Sequence, residues 1–228
     1  MFLDELREDA VRFESSAFDV NLLMSLAEQL VKGAKLHGDV VLLGVFDDRT
    51  PAWITHCLDV LQSDKRVLVF DAFSEIEYFV GTCKGTTADQ DQITCDHEAG
   101  IARVANMCDE YAVVEPEIYP GWFADTLGEN LPSEIAFVHV DCGFYDEIFE
   151  GLLETYPRLV PGAPVVINRY GSGYLRCVQE ATDEFLFDKP ETISQLAHTS
   201  RGQHFAFSKM VADAEELESE GAASEEAE

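Results

Sequence analysis

The 228 residues suffice for one large α/β domain with its own core, and 46% apolar with 11% aromatic content is that of a globular chain. A formal charge of −29 argues against duplex nucleic acid and anionic membranes as partners, since both would be repelled. No apolar run approaches the ~20 residues that span a bilayer, and the opening MFLDELRED is acidic and amphipathic, unlike a secretory leader, so a cytoplasmic location is expected.

In chain order, helical periodicity covers residues 2–14 (Phe2, Leu3, Leu6, Val11 and Phe13 apolar) and 20–33 (Leu22, Leu23, Leu26, Leu30, Val31). Residues 1–37 therefore read as two helices packing on or capping the domain that follows, over 38–210. Gly38-Asp39 opens a continuous apolar run, 40–46, read as a buried strand. Thr50-Pro51 has the chemistry of a helix N-cap and first position, predicting a helix to Leu61. A second strand, 66–70, ends on Asp71. The polar segment 81–95 reads as a surface loop or lid. Asp96 is placed to cap a helix over 97–109, and a third strand is expected over 111–116.

Residues 135–140 form an apolar strand ending on Asp141, followed by a helix with Ile148, Leu152, Leu153 and Tyr156 on one face. Pro161-Gly162 turns into a strand over 163–168 that ends on Asn168-Arg169-Tyr170. A helix near 174–187 and two late strands, 191–197 and 203–208, complete the order. Strands alternating with helices predict a doubly wound, mostly parallel sheet, antiparallel at one edge where the late strands share a short connection. After Ala212 come eight acids and no base, leaving about −21 for the rest, and 211–228 reads as a solvated, disordered acidic tail. The six cysteines lack metal-ligand spacing and read as reduced thiols, Cys142 as a small strand-end filler. With only six lysines in the chain, the acidity of the body fits either a high-salt proteome or a cationic partner.

Open parallel sheets bind ligands outside the carboxyl ends of their strands. Asp71 is placed either to accept from a ribose diol or to serve as a loop or cap acid. The first turn, Gly44-Val45-Phe46-Asp47-Asp48-Arg49, has one glycine and two acids, too few free amides for a phosphate. It could still pair an amino group with Asp47 or Asp48, and a carboxylate with Arg49. Trp122 and Phe123, after Gly121, could stack on an adenine ring or pack into the core.

Taken together, these segments resemble the macrocin O-methyltransferase (TylF-type) family of class I S-adenosylmethionine-dependent enzymes. GWFADTL (residues 121–127) is close to that family's G-W-F-x-D-T-L, and VHVDCGFYDEIFEGLLETYPRLVPGAPVVIN (138–168) follows its D-x-D-x-Y…Y-P-x-L-x-P-G-G segment. GDVVLLGVF, VFDAF and the closing QHFAFSK add weaker matches, so the likeness runs from Gly38 to Lys209. It implies a Rossmann-like class I methyltransferase fold with a seven-stranded, mostly parallel sheet, an antiparallel edge strand and helices on both faces. It further implies S-adenosylmethionine held by Gly44, Val45, Phe46, Asp71, Ala72, Phe73, Gly121, Trp122, Phe123 and Asp141, and methylation of a sugar or natural-product hydroxyl.

The departures fall on functional positions. Leu42 replaces the acid that ends the family's first strand. Gly143 replaces the second acid of D-x-D, and Asn168-Arg169 replace the paired acids of the metal site. Magnesium requires several hard oxygen ligands, so the residues disfavour it, and Arg169 is expected to pair with Asp141 instead. The acceptor would then be oriented by Asp141, Asn168 and Arg169, with a base drawn from His139, His198, His204 or Tyr170, of which His198 reads as the most exposed. The alternative is a methyltransferase-like protein without catalysis, binding a ligand or a protein partner, with Leu42, Phe46 and Asp48 filling the methionine pocket. A homo-oligomer is compatible with either.

Overall fold

The computed structural model describes residues 2–74, 94–173 and 175–210. The lid expected over 81–95 falls largely, and the acidic tail over 211–228 wholly, outside those residues. Among the described residues no helix is long and apolar enough to cross a membrane.

The chain runs α1 (Phe2–Phe13), α2 (Val20–Gly33), β1 (Asp39–Leu43), α3 (Arg49–Val60), β2 (Val67–Asp71), α4 (His97–Tyr111), β3 (Glu117–Pro120), α5 (Phe123–Asn130) and β4 (Ile135–Val140). It continues through α6 (Tyr145–Thr155), a 3₁₀ turn (Tyr156–Arg158), β5 (Pro164–Asn168), α7 (Arg176–Leu186), β6 (Ser194–His198) and β7 (Gln203–Ser208). One seven-stranded sheet has the order β3-β2-β1-β4-β5-β7-β6. All neighbours are parallel except at the β7 end, where β7 runs against both β5 and β6. The expected fold is present.

The period of two along each strand divides the core into two layers. Val40, Leu42, Val67 and Val69 face α1–α4, with Trp53, Leu26 and Phe13. Val41, Leu43, Leu68 and Phe70 face α5–α7, with Phe123, Ile148 and Phe185. The two N-terminal helices belong to the first layer: Phe13 stacks on Tyr111 at 3.9 Å, and the Trp53 indole N–H donates to the Leu23 carbonyl at 3.0 Å. Asp19 caps α2 by accepting from the Asn21 and Leu22 amides, and Asp96 caps α4 by accepting from Ala99, as its sequence position predicts.

Four local expectations are corrected. β1 stops at Leu43 rather than Phe46, because Gly44 adopts φ +87° and turns the chain away from the sheet. Thr50 lies inside α3 rather than capping it, buried, with its hydroxyl finding no partner among the described residues. The third strand begins at Glu117, not Tyr111. Tyr111 is held in α4 by its contact with Phe13, Ala112 ends that helix in a left-handed conformation, and only Glu117 comes into register with Leu68. Leu153 stands on the outer face of α6, while Ile148 and Leu152 are buried.

Candidate functional site

The sheet reverses direction of growth between β1 and β4, and the chain ends of these strands meet there. The Asp141 amide donates to the Leu43 carbonyl at 2.8 Å. A Cβ on Gly44 would lie 2.8 Å from the Asp141 carbonyl carbon and oxygen, so this close approach of two backbones needs glycine. Beside it, between β1, β2, α4 and α6, lies a cavity of about 320 Å3. Its walls include Gly44, Val45, Phe46, Ala72, Phe73 and Phe123, with Asp71 at the end of β2. Seven of the expected cofactor residues thus converge on one space. Gly121 and Trp122 do not line it: Trp122 sits at the N-cap of α5, a helix the sequence did not reveal.

Asp71 is fixed by backbone. Its Oδ2 accepts from the Val45 amide at 2.5 Å, and its Oδ1 accepts from the Phe73 amide. Each oxygen keeps a lone-pair direction for a further donor. Burial raises its pKa to about 6 against the pull of those two amides. Phe73 itself has φ +46°, an uncommon conformation for an aromatic residue, and its ring rests on Gly100 of α4. Two ionisable residues that sequence reading missed complete the walls. Glu147, in the first turn of α6, has its pKa pushed up to about 8, first by burial and then by the negative charge of Asp71. Arg103 of α4 pairs with Asp48 at 3.2 Å. The sequence signal for Glu147 was only an acid a short distance past Asp141, in a helix read for its apolar face. With the carboxyl groups of Asp48, Asp71 and Glu147 against one arginine the cavity is acidic, and Glu147, mostly protonated at pH 7 when the cavity is empty, ionises there once a cation lies beside it.

Asp141, 1% exposed, lies next to this space and not in its lining. Its Oδ1 accepts from Asn168 Nδ2 at 2.7 Å and from Arg169 Nη2 at 2.6 Å, the expected pairing. Burial raises its pKa, while Arg169, Asn168 and the Phe46 amide hold it down. The Arg169 guanidinium also stacks on the Phe46 ring, 4.1 Å from its centroid, and its backbone has φ +63°. Two non-glycine residues with positive φ, Phe73 and Arg169, thus flank the site, where such conformations tend to concentrate.

These residues do not suit a magnesium site. Asp141 Oδ1 already carries two donors, Gly143 offers no side chain, and Arg169 brings a cation where a cation would have to sit. Among the described residues, no group of three or more His, Cys, Asp or Glu is placed to hold a metal ion. The candidate bases also lie elsewhere. His198 stands at the end of β6, by a separate hollow with Arg7 and Glu28. His139 and His204 are fully buried, their rings 5.9 Å apart, with His139 lowered to about 3 chiefly by burial. The Tyr170 hydroxyl donates to Asp183 at 2.5 Å and is raised to about 12 by burial and that carboxylate. Leu42 points into the first core layer rather than the cavity, while Phe46 and Asp48 form part of the cavity wall.

Residues 10–195 match the family model for the macrocin-O-methyltransferases (TylF). Among curated relatives, the 8-demethyl-8-(2,3-dimethoxy-alpha-L-rhamnosyl)-tetracenomycin-C 4'-O-methyltransferase of Streptomyces olivaceus is 26% identical over 140 residues, 58% of this chain. The match spans only 53% of that relative's length. The mycinamicin III 3''-O-methyltransferase of Micromonospora griseorubida is 24% identical over 182 residues, covering 74% of this chain and 71% of the relative. Among solved structures, the O-methyltransferase NovP superposes with a TM-score of 0.66 at 18% identity, covering 84% and 81% of the two chains. An O-methyltransferase from Bacillus cereus in complex with SAH gives 0.58 at 12% identity, covering 91% and 90%. These last two likenesses are of fold.

Proposed function

The chain belongs to the macrocin-O-methyltransferase (TylF) family, and from that premise we propose that it is an S-adenosylmethionine-dependent O-methyltransferase acting on a hydroxylated small molecule, a sugar or natural product, without a divalent metal. The observation that carries this reading is the acidic cavity floored by Asp71, lying beside the Asp141–Asn168–Arg169 cluster with Phe46 between them. The residues fit the cofactor: Asp71 retains acceptor capacity for a ribose diol, Phe73 and Phe123 offer apolar walls, and Asp48 and Glu147 suit a cationic occupant. Bound there, S-adenosylmethionine supplies an electrophilic methyl group on a positively charged sulfur.

The protein's part is to position and to stabilise charge. Arg169, stacked on Phe46 and held by Asp141, is a fixed guanidinium that can stabilise negative charge developing on an acceptor oxygen as its hydroxyl proton passes to solvent water. It takes over electrostatically what a metal supplies in metal-dependent transferases, and it needs no reorganisation at the moment of reaction. Cys142 is not a competing nucleophile, since burial pushes its thiol far above its usual range.

Calorimetric titration with S-adenosylmethionine, with and without magnesium, tests this. Micromolar binding unaffected by magnesium is expected, and Asp71→Ala should abolish it by removing the ribose acceptor and leaving the Val45 and Phe73 amides unpaired. Absence of binding at millimolar cofactor, or binding that requires magnesium, would overturn the respective half of the proposal.

A further inference from the structure

A second hollow, of about 270 Å3, adjoins the acidic cavity at Phe46, which lines both. Its walls are Ser16, Ala17, Phe46, Asn168, Arg169 and Arg201. In a chain with 44 acids and 15 lysines and arginines, a hollow whose lining holds two arginines and no carboxylate stands out. Both guanidinium groups are fixed before any ligand arrives. Arg169 is held through Nη2 by Asp141 and by stacking on Phe46. Arg201, on the β6–β7 connection, donates from Nη1 to the Ser15 and Phe18 carbonyls at 2.7 and 3.2 Å, and to Glu14 at 3.4 Å. Its Nη2 and Nε carry no bond to the described residues. Glu14 and Asp141 offset part of the positive charge, but neither lines the hollow.

Paired, pre-positioned guanidinium groups with an amide and a hydroxyl beside them are suited to an oxyanion. We propose that this hollow is an anion subsite for the acceptor: the hydroxylated substrate carries a phosphate or carboxylate group that docks between Arg169 and Arg201. This rests on the methyl-transfer reading, which puts the acceptor on the Arg169 side of Phe46. The two sides of that ring then have opposite polarity, acidic for the cationic donor and basic for an anionic acceptor. An acceptor lacking the anion would forgo the charge-assisted bonds that the two guanidinium groups offer, so the hollow favours anionic over neutral acceptors.

Three probes of similar size decide it by calorimetry on the full chain: glucose 1-phosphate, glucuronate and methyl glucoside. At least one anionic probe should bind ten-fold or more tightly than the neutral one, and the tighter of the two identifies the acceptor's anion as phosphate or carboxylate. Arg201→Gln should weaken that binding about ten-fold, with affinity for S-adenosylmethionine unchanged. Because that substitution also removes the tether on Ser15 and Phe18, Ser16→Asp is the control. It leaves the tether in place, adds a negative charge at an exposed wall position, and should weaken the anion equally without lowering Tm. Equal binding of charged and neutral probes, or anion binding indifferent to both substitutions, overturns the subsite. Loss of S-adenosylmethionine binding in the parent protein would instead overturn the methyltransferase reading, so the two failures are distinguishable.

Discussion

At the scale of single residues, His139 stands out among the described residues as the side chain with two buried polar atoms that lack a partner. It is 1% exposed, and neither ring nitrogen has a partner among the described residues, whereas His204 beside it at least meets the Ser25 hydroxyl at 2.6 Å. An unpaired buried polar group costs about 1–3 kcal/mol. His139→Leu, similar in bulk and apolar, should therefore raise stability at pH 7 by roughly 1 kcal/mol after imperfect packing is counted. The acid response follows from the same burial. With its pKa depressed from the usual 6.5 to about 3, His139 binds its proton only in the unfolded chain over that interval. Stability is thus unaffected above pH 6.5 and is lost as pH falls toward 3. Urea unfolding at pH 7 and pH 5 should show the leucine variant gaining most at pH 5, with His204, also depressed, keeping part of the slope. A variant less stable than the parent at both values would contradict this account.

At the scale of elements, Gly100 shows how α4 shapes the cavity. Gly to Ala in a helix ordinarily gains up to about 1 kcal/mol. Here an added Cβ would meet the Phe73 ring at 2.2 Å, and Phe73 is itself anchored through its amide to Asp71. Overpacking of that kind costs about 1–3 kcal/mol, so Gly100→Ala should destabilise, and by moving Phe73 it should also weaken cofactor binding. Thermal unfolding and calorimetry would both have to be unchanged to refute it. The elements themselves were legible in the sequence wherever a periodic apolar pattern was clear, as over 20–33, or met a capping residue, as at Asp96 at the start of α4. They were not legible where tertiary contacts decide. The limit of α4 is set by Tyr111 stacking on Phe13, some hundred residues away in the chain. The helix over Phe123–Asn130 is short, and its buried Phe123 and Leu127 form a single i, i+4 pair that reads equally well as an aromatic loop. Of the site, Asp71 and the Asp141–Arg169 pair were visible because strand ends in parallel sheets collect ligand groups. Glu147 and Arg201 were not, because each comes to its cavity from an element whose sequence pattern says nothing about that cavity.

At the scale of the whole molecule, charge is distributed against the trend of the composition. The chain carries −29 overall, yet Arg103, Arg169 and Arg201 gather around the two adjoining spaces at the carboxyl edge of the sheet. The Phe46 partition has a kinetic consequence. A positively charged donor is drawn in by the field of the entire surface, so its association rate should fall as salt screens that field beyond about 10 Å at 0.1 M. An anionic acceptor is turned away by the same field and captured only at contact by two arginines, so added salt should speed its arrival while hastening its departure. Stopped-flow association rates for the two ligands over a salt series should diverge in sign. One aromatic ring thereby separates a compartment filled by attraction from one filled in spite of repulsion.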